Sequence, residues 1–162
     1  MIRPVSLSDA AAIRGIYNYY IERTAVTFEE IPVSLDEMER RIRRISASYP
    51  WLVWEEAGDV LGYAYIHAWK DRSAYRFSGE DSIYVKQGYE RRGIGRSLMT
   101  ALLEEAEKTE MHALIAILCT PNEASATLHE EFGFKKCAHF SEVGFKFNRW
   151  LDVGYWERLM IR

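Results

Sequence analysis

The residues with the clearest chemical potential lie between positions 83 and 96, where a short apolar run leads through a turn into a helical pattern. The predicted helix opens through Gly93 and Gly95, and three arginines surround that opening: Arg91, Arg92 and Arg96. Backbone N–H groups at a helix start have no intrahelical acceptor, and they lie at the positive end of the helix dipole. Glycines let a ligand approach that backbone closely. Together these features predict a diphosphate site, with an ordinary strand-to-helix turn as the alternative.

Two common diphosphate motifs do not fit this segment. A P-loop requires lysine followed by serine or threonine after its last glycine, and that pair is missing. A dinucleotide fingerprint requires a third glycine, and Leu98 stands at that position. From the residues alone, the identity of the diphosphate ligand therefore stays open.

The composition predicts a single domain over residues 1–162 that can hold such a site. The chain has 162 residues, of which 48% are hydrophobic, and its net charge is −3. That length suits one domain that needs no disulfide or metal. The acidic balance argues against a nucleic-acid partner, and no apolar run is long enough to span a membrane. Cys119 and Cys137 lack metal-ligand spacing, so we expect a cytoplasmic protein with reduced thiols and no metal.

The hydrophobic pattern predicts the elements that position the site. Helices are expected after an N-cap at Ser8, after a capping box at Ser34, from Gly93 to Lys108 and from Asn122 to Phe132. Strands are expected at residues 2–5, 51–55, 60–68, 82–85, 113–118, 139–147 and 151–160, and residues 71–79 are expected to form a loop. The order β-α-α-β-β-β-α-β-α-β-β predicts an α/β domain on one mixed sheet.

Four arginines on the second predicted helix allow two interpretations: Arg40, Arg41, Arg43 and Arg44. They could bind phosphate, or they could form a solvated face balanced by neighbouring acidic residues. One short basic run in an acidic protein is weak evidence for a ligand, so the solvated face is favoured.

Blocks spread over nearly the whole chain resemble one known family. They are Ile2-Arg3-Pro4, Ile16-Tyr17-Asn18, Val26-Thr27-Phe28, Glu80 to Val85, the glycine turn, Asn122 to Ser125, Leu128-His129-Glu130, Lys146-Phe147 and Arg149 to Asp152. In combination they resemble the phosphinothricin acetyltransferase branch of the GNAT superfamily of N-acetyltransferases. The resemblance implies one mixed, mostly antiparallel sheet flanked by helices, with acetyl-CoA as co-substrate.

The resemblance also implies where coenzyme A binds. The strand before the turn would pair with the pantetheine arm, the turn would hold the pyrophosphate, and Asn122 and Glu131 would lie near the arm. The implied cofactor-binding residues are Ile83, Tyr84, Val85, Arg91, Arg92, Gly93, Ile94, Gly95, Arg96, Asn122 and Glu131. One position departs from the family, which usually has glutamine or arginine where this chain has Glu90. A carboxylate there would repel a pyrophosphate, although Arg91 and Arg92 can offset its charge.

Two further residues match the family's catalytic positions. Acetyl transfer needs a base for the amine and is helped by an acid for the departing thiolate. Glu80 matches the family's glutamate and would be the general base, directly or through one water; a surface carboxylate is the alternative. His129 would protonate the thiolate or orient the cofactor, and a packed helix histidine is the alternative. Backbone amides would stabilise the oxyanion. No covalent acetyl-enzyme is needed, so neither cysteine is expected to act as a nucleophile.

A loop before Glu80 resembles the family's acceptor-binding loop. Arg76 would hold an acceptor carboxylate through two parallel hydrogen bonds, and Ser73, Ala74 and Tyr75 would shape the pocket. An exposed loop arginine is the alternative. Lys146 and Arg149 are weaker anion-binding candidates. Family members are commonly dimers, and Trp150, Tyr155 and Trp156 suit an interface or a core equally well.

The leading hypothesis is therefore direct acetyl transfer from acetyl-CoA to the α-amino group of a small amino-acid analogue, such as phosphinothricin, methionine sulfoximine or methionine sulfone. A second hypothesis changes the acceptor to another amine or a protein N-terminus. A third is a non-catalytic acyl-CoA-binding module, which has no use for a base at Glu80. A basic-helix nucleic-acid binder is disfavoured by the acidic balance.

Overall fold

The computed structural model describes residues 1–160 as a seven-stranded sheet with flanking helices. The strands are β1 (Ile2–Pro4), β2 (Trp51–Glu56), β3 (Asp59–Ala68), β4 (Ser78–Val85), β5 (Ala113–Thr120), β6 (Lys135–Lys146) and β7 (Arg149–Leu159). The helices are α1 (Ala10–Arg23), α2 (Leu35–Ser46), α3 (Ile94–Glu107) and α4 (Glu123–Glu131). The strand order is β1-β2-β3-β4-β5-β7-β6. This architecture confirms the predicted mixed, mostly antiparallel sheet.

One parallel pairing interrupts the antiparallel pattern. β4 pairs with β5 in parallel, whereas β1 with β2, β2 with β3, β5 with β7 and β6 with β7 are antiparallel. The apolar run of β5 suits this central position, because a strand covered on both faces needs no polar alternation.

The first of two compact units comprises residues 1–19, 33–67 and 81–110. Helix α3 packs its apolar stripe against β2 in this unit. Gly62 permits a close approach, because a Cβ there would lie 3.0 Å from Ile94 Cγ2 and 3.1 Å from the carbonyl oxygen of Tyr84. A helix start and a strand therefore meet closely at Gly62.

The second unit comprises residues 20–32, 68–80 and those from 111 onward. Its centre is the antiparallel β5-β7-β6 sheet, with α4 against β5. Phe147 and Asn148 link β6 to β7, and both have positive φ, which is typical of a tight hairpin turn. The ring of Phe28 lies against the backbone of Gly144, where a Cβ would come within 2.6 Å of Phe28 Cζ. This glycine lets the segment 20–32 dock on β6.

Three predicted boundaries were wrong. β6 begins at Lys135 rather than at position 139, because pairing of Lys135 with Glu157 on β7 extends the strand through polar residues. β4 begins at Ser78 rather than at position 82, because backbone pairing of Ser78 with Ala113 extends the strand through polar residues. Ser6, not Ser8, stands at the N-cap of the first helical turn, and α1 proper begins at Ala10. The Ser34 cap is confirmed, since its hydroxyl accepts a hydrogen bond from the Glu37 N–H at 3.2 Å.

The arginines of α2 behave as a solvated face. Glu37 pairs with Arg40 and Arg41, and Glu39 pairs with Arg43. These ion pairs join residues three or four positions apart, as expected on a helix surface. They agree with the interpretation that this helix balances its own charge.

An ion pair near the N-terminus gives a testable pH dependence. Asp9 is only 5% exposed, and it accepts two hydrogen bonds from the Arg3 guanidinium at 2.8 Å. The hydrogen bond from Arg3 lowers the pKa of the Asp9 carboxyl, against the opposing effect of burial. A lowered folded-state pKa stabilises the protein above the unfolded value of about 4, and the gain is lost as pH falls.

We therefore expect Asp9→Asn to lower the free energy of unfolding by about 2 kcal/mol at neutral pH. The difference from the parent should shrink as the pH falls through the lowered pKa of Asp9, where the parent's carboxyl also takes up a proton. Urea unfolding of both proteins at neutral and at acidic pH measures this difference in the free energy of unfolding. A difference that stays constant with pH would contradict the assignment.

Candidate active site

Strand β4 carries two of the predicted site segments. Glu80 and Ile83 to Val85 lie on it, separated by only three positions. Parallel pairing with β5 joins Ser78 to Ala113 and Glu80 to Ile115, and it ends there. β4 itself continues to Val85. The partly buried Glu80 therefore stands at the last paired position with β5.

The turn after β4 contains three residues with positive φ. Gly88, Arg91 and Gly93 all lie in the left-handed region, with φ of 85°, 61° and 80°. For Arg91 this conformation costs energy, because its Cβ crowds the backbone. Gly93 is the N-cap of α3, so the first-turn amides of the helix follow it directly. Left-handed backbone beside the amides of a helix start is a pattern common to anion-binding loops.

The three arginines of this turn are all exposed but differ in their contacts. Arg92 forms an ion pair with Glu56 at 3.1 Å, and its guanidinium lies 5.2 Å from the centre of the Tyr89 ring. Both side chains of that ion pair are exposed to solvent, so the pair restrains Arg92 only weakly. The turn thus presents positive charge beside the amides of α3.

The predicted acceptor loop is a 3₁₀ turn, Ser73–Tyr75, followed by Arg76. These four residues are exposed. Arg76 donates from Nη1 to the Ser73 carbonyl at 3.1 Å, and its guanidinium lies 4.3 Å from the centre of the Phe77 ring. Only part of its donor fork is engaged, so the remaining N–H groups suit a carboxylate ligand.

Trp69 is a residue that the sequence analysis did not single out. Its ring meets Tyr75 edge-on, with centroids 5.2 Å apart. Its indole Nε1 is buried without a hydrogen-bond acceptor among residues 1–160. An unsatisfied buried donor costs about 1–3 kcal/mol, so a ligand oxygen placed there would be stabilised. An aromatic residue directly after β3 was the only sequence signal that could have found it.

Helix α4 brings Asn122 and His129 to a common residue, Ser125. Asn122 is the N-cap, and its Oδ1 accepts from the Ser125 N–H at 3.2 Å. His129 is 3% exposed, with Nδ1 2.7 Å from the Ser125 carbonyl oxygen and its ring edge-on to Phe134. A carbonyl cannot donate, so Nδ1 carries a proton in this hydrogen bond. Glu131 lies exposed at the end of this helix.

Lys146 is 3% exposed, and its ammonium donates to the Thr27 carbonyl at 2.7 Å. Burial lowers the pKa of this lysine. One of its N–H groups thus holds the segment 20–32, a role that the sequence analysis did not foresee. Arg149, the other weaker candidate, is exposed at the β6–β7 turn.

The predicted site residues fall in both units. Ile83 to Val85 and Arg91 to Arg96 belong to the first, whereas residues 73–76, Glu80, Asn122, His129 and Glu131 belong to the second. β4 passes from one unit to the other between Glu80 and Asp81.

The cysteines show no sign of activation. Burial raises the pKa of both the Cys119 and the Cys137 thiol, which disfavours the nucleophilic thiolate. Among residues 1–160 no group of three His, Cys, Asp or Glu side chains is placed to hold a metal ion. Within the same residues, every helix is too short or too polar to cross a bilayer.

Comparison with known proteins places the chain in a family. Residues 2–154 match the family model described as an acetyltransferase (GNAT) domain. The chain is 38% identical over 157 residues to a phosphinothricin N-acetyltransferase from Streptomyces viridochromogenes, covering 97% of this chain and 86% of that protein. It is 36% identical over 155 residues to an L-methionine sulfoximine/L-methionine sulfone acetyltransferase from Salmonella typhimurium, covering 95% and 91%.

Solved structures agree in fold. A ribosomal-protein-alanine N-acetyltransferase from Brucella melitensis superposes with a TM-score of 0.97 at 35% identity, covering 99% of each chain. A putative acetyltransferase from Salmonella typhimurium, solved with its cofactor acetyl-CoA, gives 0.97 at 34% identity, covering 100% of this chain and 94% of that one. The chain therefore belongs to the GNAT family and is an N-acetyltransferase that takes its acetyl group from acetyl-CoA.

Proposed function

We propose that this enzyme acetylates the α-amino group of a small amino-acid analogue of the phosphinothricin, methionine sulfoximine or methionine sulfone type. The observation that carries the proposal is the exposed 3₁₀ turn with the partly free guanidinium of Arg76 on the segment that leads into Glu80. An amino-acid-like acceptor brings a carboxylate for that guanidinium and an amine for that base. The relatives named for these acceptors support the same class.

Acetyl-CoA binds along β4 and at the turn before α3 in this proposal. The pantetheine amides pair with the backbone of Ile83 to Val85, much as a peptide adds to a strand. The diphosphate lies at the amides of residues 91–96, where Arg91 and Arg96 add charge. The strained φ of Arg91 and the left-handed N-cap at Gly93 support this placement. Asn122 and Glu131 lie near the arm, and Asn122 keeps its side-chain NH₂ as a donor after Oδ1 caps α4.

Glu80 accepts the first proton. An acceptor ammonium must lose one proton, directly or through one water, before its nitrogen lone pair can attack the thioester carbonyl carbon. Attack forms a C–N bond and a tetrahedral oxyanion, which backbone amides stabilise. The C–S bond then breaks, and the second proton of the nitrogen passes to the departing thiolate. The products are the N-acetyl compound and coenzyme A thiol.

His129 fits the orienting role better than the acid role. Its Nδ1 donates to the Ser125 carbonyl and its ring packs edge-on against Phe134, so the buried ring is held in one orientation. It can donate from Nε2 only as an imidazolium, and burial disfavours that charge. We therefore assign His129 to orient the cofactor.

We also propose that this enzyme forms a homodimer. β6 is the last strand in the sheet order and carries exposed apolar side chains, and Trp150 on β7 is 63% exposed. An apolar sheet edge of this kind is typical of a surface covered by a second copy. The side chain of Trp156 is only 3% exposed, so it belongs to the core instead.

Sedimentation velocity should give a dimer for the parent, and Trp150→Glu should give a monomer. A monomeric parent would refute this assembly. A cytoplasmic location stays a prediction.

An amine screen tests the acceptor class. Release of thiol from acetyl-CoA is measured with phosphinothricin, methionine sulfoximine, methionine sulfone, amines without a carboxylate and a peptide with N-terminal alanine. Turnover with the amino-acid analogues is expected. Turnover with the peptide and with none of the other amines would favour a protein N-terminus as the acceptor, which is the acceptor type named for the Brucella melitensis neighbour. Binding of acetyl-CoA without turnover for any amine would favour a non-catalytic module.

A further inference from the structure

Glu90 is the one acidic residue in the turn between Lys86 and Gly93, and its carboxylate faces that turn's own backbone. Glu90 Oε2 accepts a hydrogen bond from the Gly88 N–H at 2.8 Å. We propose that Glu90 is a positioning residue, which holds this turn in the shape that presents the α3 amides to the diphosphate of coenzyme A. The inference rests on the diphosphate site proposed above.

The turn needs such a restraint because three of its residues have positive φ. Gly88 and Gly93 adopt φ of 85° and 80° readily, but Arg91 at 61° does so at a cost. The Glu90 hydrogen bond links the first of these positions to the segment just before the strained one. A second bond, from the Tyr89 N–H to the Lys86 carbonyl at 3.0 Å, closes the turn on the strand side.

Side chains restrain the same turn from outside. Two cations lie near the Tyr89 ring, with Lys86 Nζ 5.5 Å and the Arg92 guanidinium 5.2 Å from its centre. Arg92 in turn pairs with Glu56 at 3.1 Å. Cation–π contacts and an exposed ion pair are weak individually, so the 2.8 Å hydrogen bond of Glu90 is the most specific restraint on residues 88–91.

Glu90 therefore acts on the diphosphate in two opposing ways. Its charge repels the ligand, although solvent screens an exposed carboxylate. Its hydrogen bond preorganises the amides, which spares the ligand the entropy of ordering them. Glutamine removes the charge and keeps an acceptor oxygen, whereas alanine removes both. The pair Glu90→Gln and Glu90→Ala consequently isolates the hydrogen bond at equal charge.

The test measures the Kd for acetyl-CoA by calorimetry, together with the Gly88 amide proton resonance. Glu90→Gln should bind as tightly as the parent or more tightly and should keep a downfield Gly88 resonance. Glu90→Ala should lose that resonance and bind about three- to tenfold more weakly than Glu90→Gln. With both variants, kcat at saturating acetyl-CoA should stay within about twofold of the parent. Glu107→Ala, at the far end of α3, is the control and should change nothing.

The inference would be overturned if Glu90→Ala and Glu90→Gln bound acetyl-CoA with equal affinity, or if Glu90→Ala bound it more tightly than Glu90→Gln. Hydrogen exchange of the parent separates this failure from that of the proposed site. If acetyl-CoA protects the amides of residues 93–96, the site stands and the two affinities decide the role of Glu90. If it leaves them unprotected, the diphosphate binds elsewhere and both proposals fail.

Discussion

Replacing Glu80 with glutamine should lower kcat by about 100- to 10,000-fold, the range that a positioned general base contributes. Glutamine has nearly the same shape, so the strand and its pairing with Ile115 should be preserved. It cannot accept the ammonium proton, so the attacking amine remains largely protonated and unreactive. Release of thiol from acetyl-CoA, with saturating acceptor, measures the loss.

The same variant should bind acetyl-CoA with unchanged Kd, because Glu80 acts on the acceptor and not on the cofactor. Raising the pH should recover part of the lost rate, since the acceptor amine then loses its proton to solvent. Glu104→Gln, on the exposed side of α3, is the matched control and should retain full activity. A Glu80→Gln enzyme with the parent's rate would remove Glu80 from the mechanism.

Replacing Arg76 with alanine should raise the KM for the acceptor by about 10- to 100-fold, because a charge-assisted hydrogen bond to the carboxylate is lost. The kcat should change much less, since the carboxylate is held equally before and during acetyl transfer. Steady-state kinetics with methionine sulfone, at saturating acetyl-CoA, measure both constants.

Arg76→Lys separates charge from geometry. Lysine keeps the positive charge but lacks the planar fork, so it should restore only part of the affinity. An acceptor amine without a carboxylate should show the same KM with the parent and with both variants. If its KM rises as much as that of methionine sulfone, Arg76 supports the loop and does not hold a carboxylate. Arg72→Ala, on the same exposed loop, is the matched control.

Local signals in the sequence were sufficient to predict the order of the helices and strands and the turn before α3. The stripe from Ile94 to Ala106 predicted a helix, and the glycine before it is the left-handed N-cap of that helix. Gly133, which follows the predicted end of the last helix at Phe132, likewise has a left-handed φ. Such features depend on residues within a few positions of one another, so a single sequence contains them.

The start of β4 could not be predicted from such local signals. Ser78, Gly79 and Glu80 have no strand pattern of their own, and they become a strand because β5 pairs with them. The consequence for the site is direct, since Glu80 lies within a paired strand and not in a flexible loop.

The amino-acid sequence alone was enough to predict the α/β order, the glycine turn before α3 and the family resemblance, because these depend on spacing along the chain. The partners of individual side chains required the folded chain. Lys146 bonds to Thr27, His129 uses Nδ1 on Ser125, and Glu90 turns back onto Gly88. Residue type and spacing do not reveal which of several available acceptors a long polar side chain will reach. That choice depends on which backbone groups the packed structure leaves within hydrogen-bonding distance.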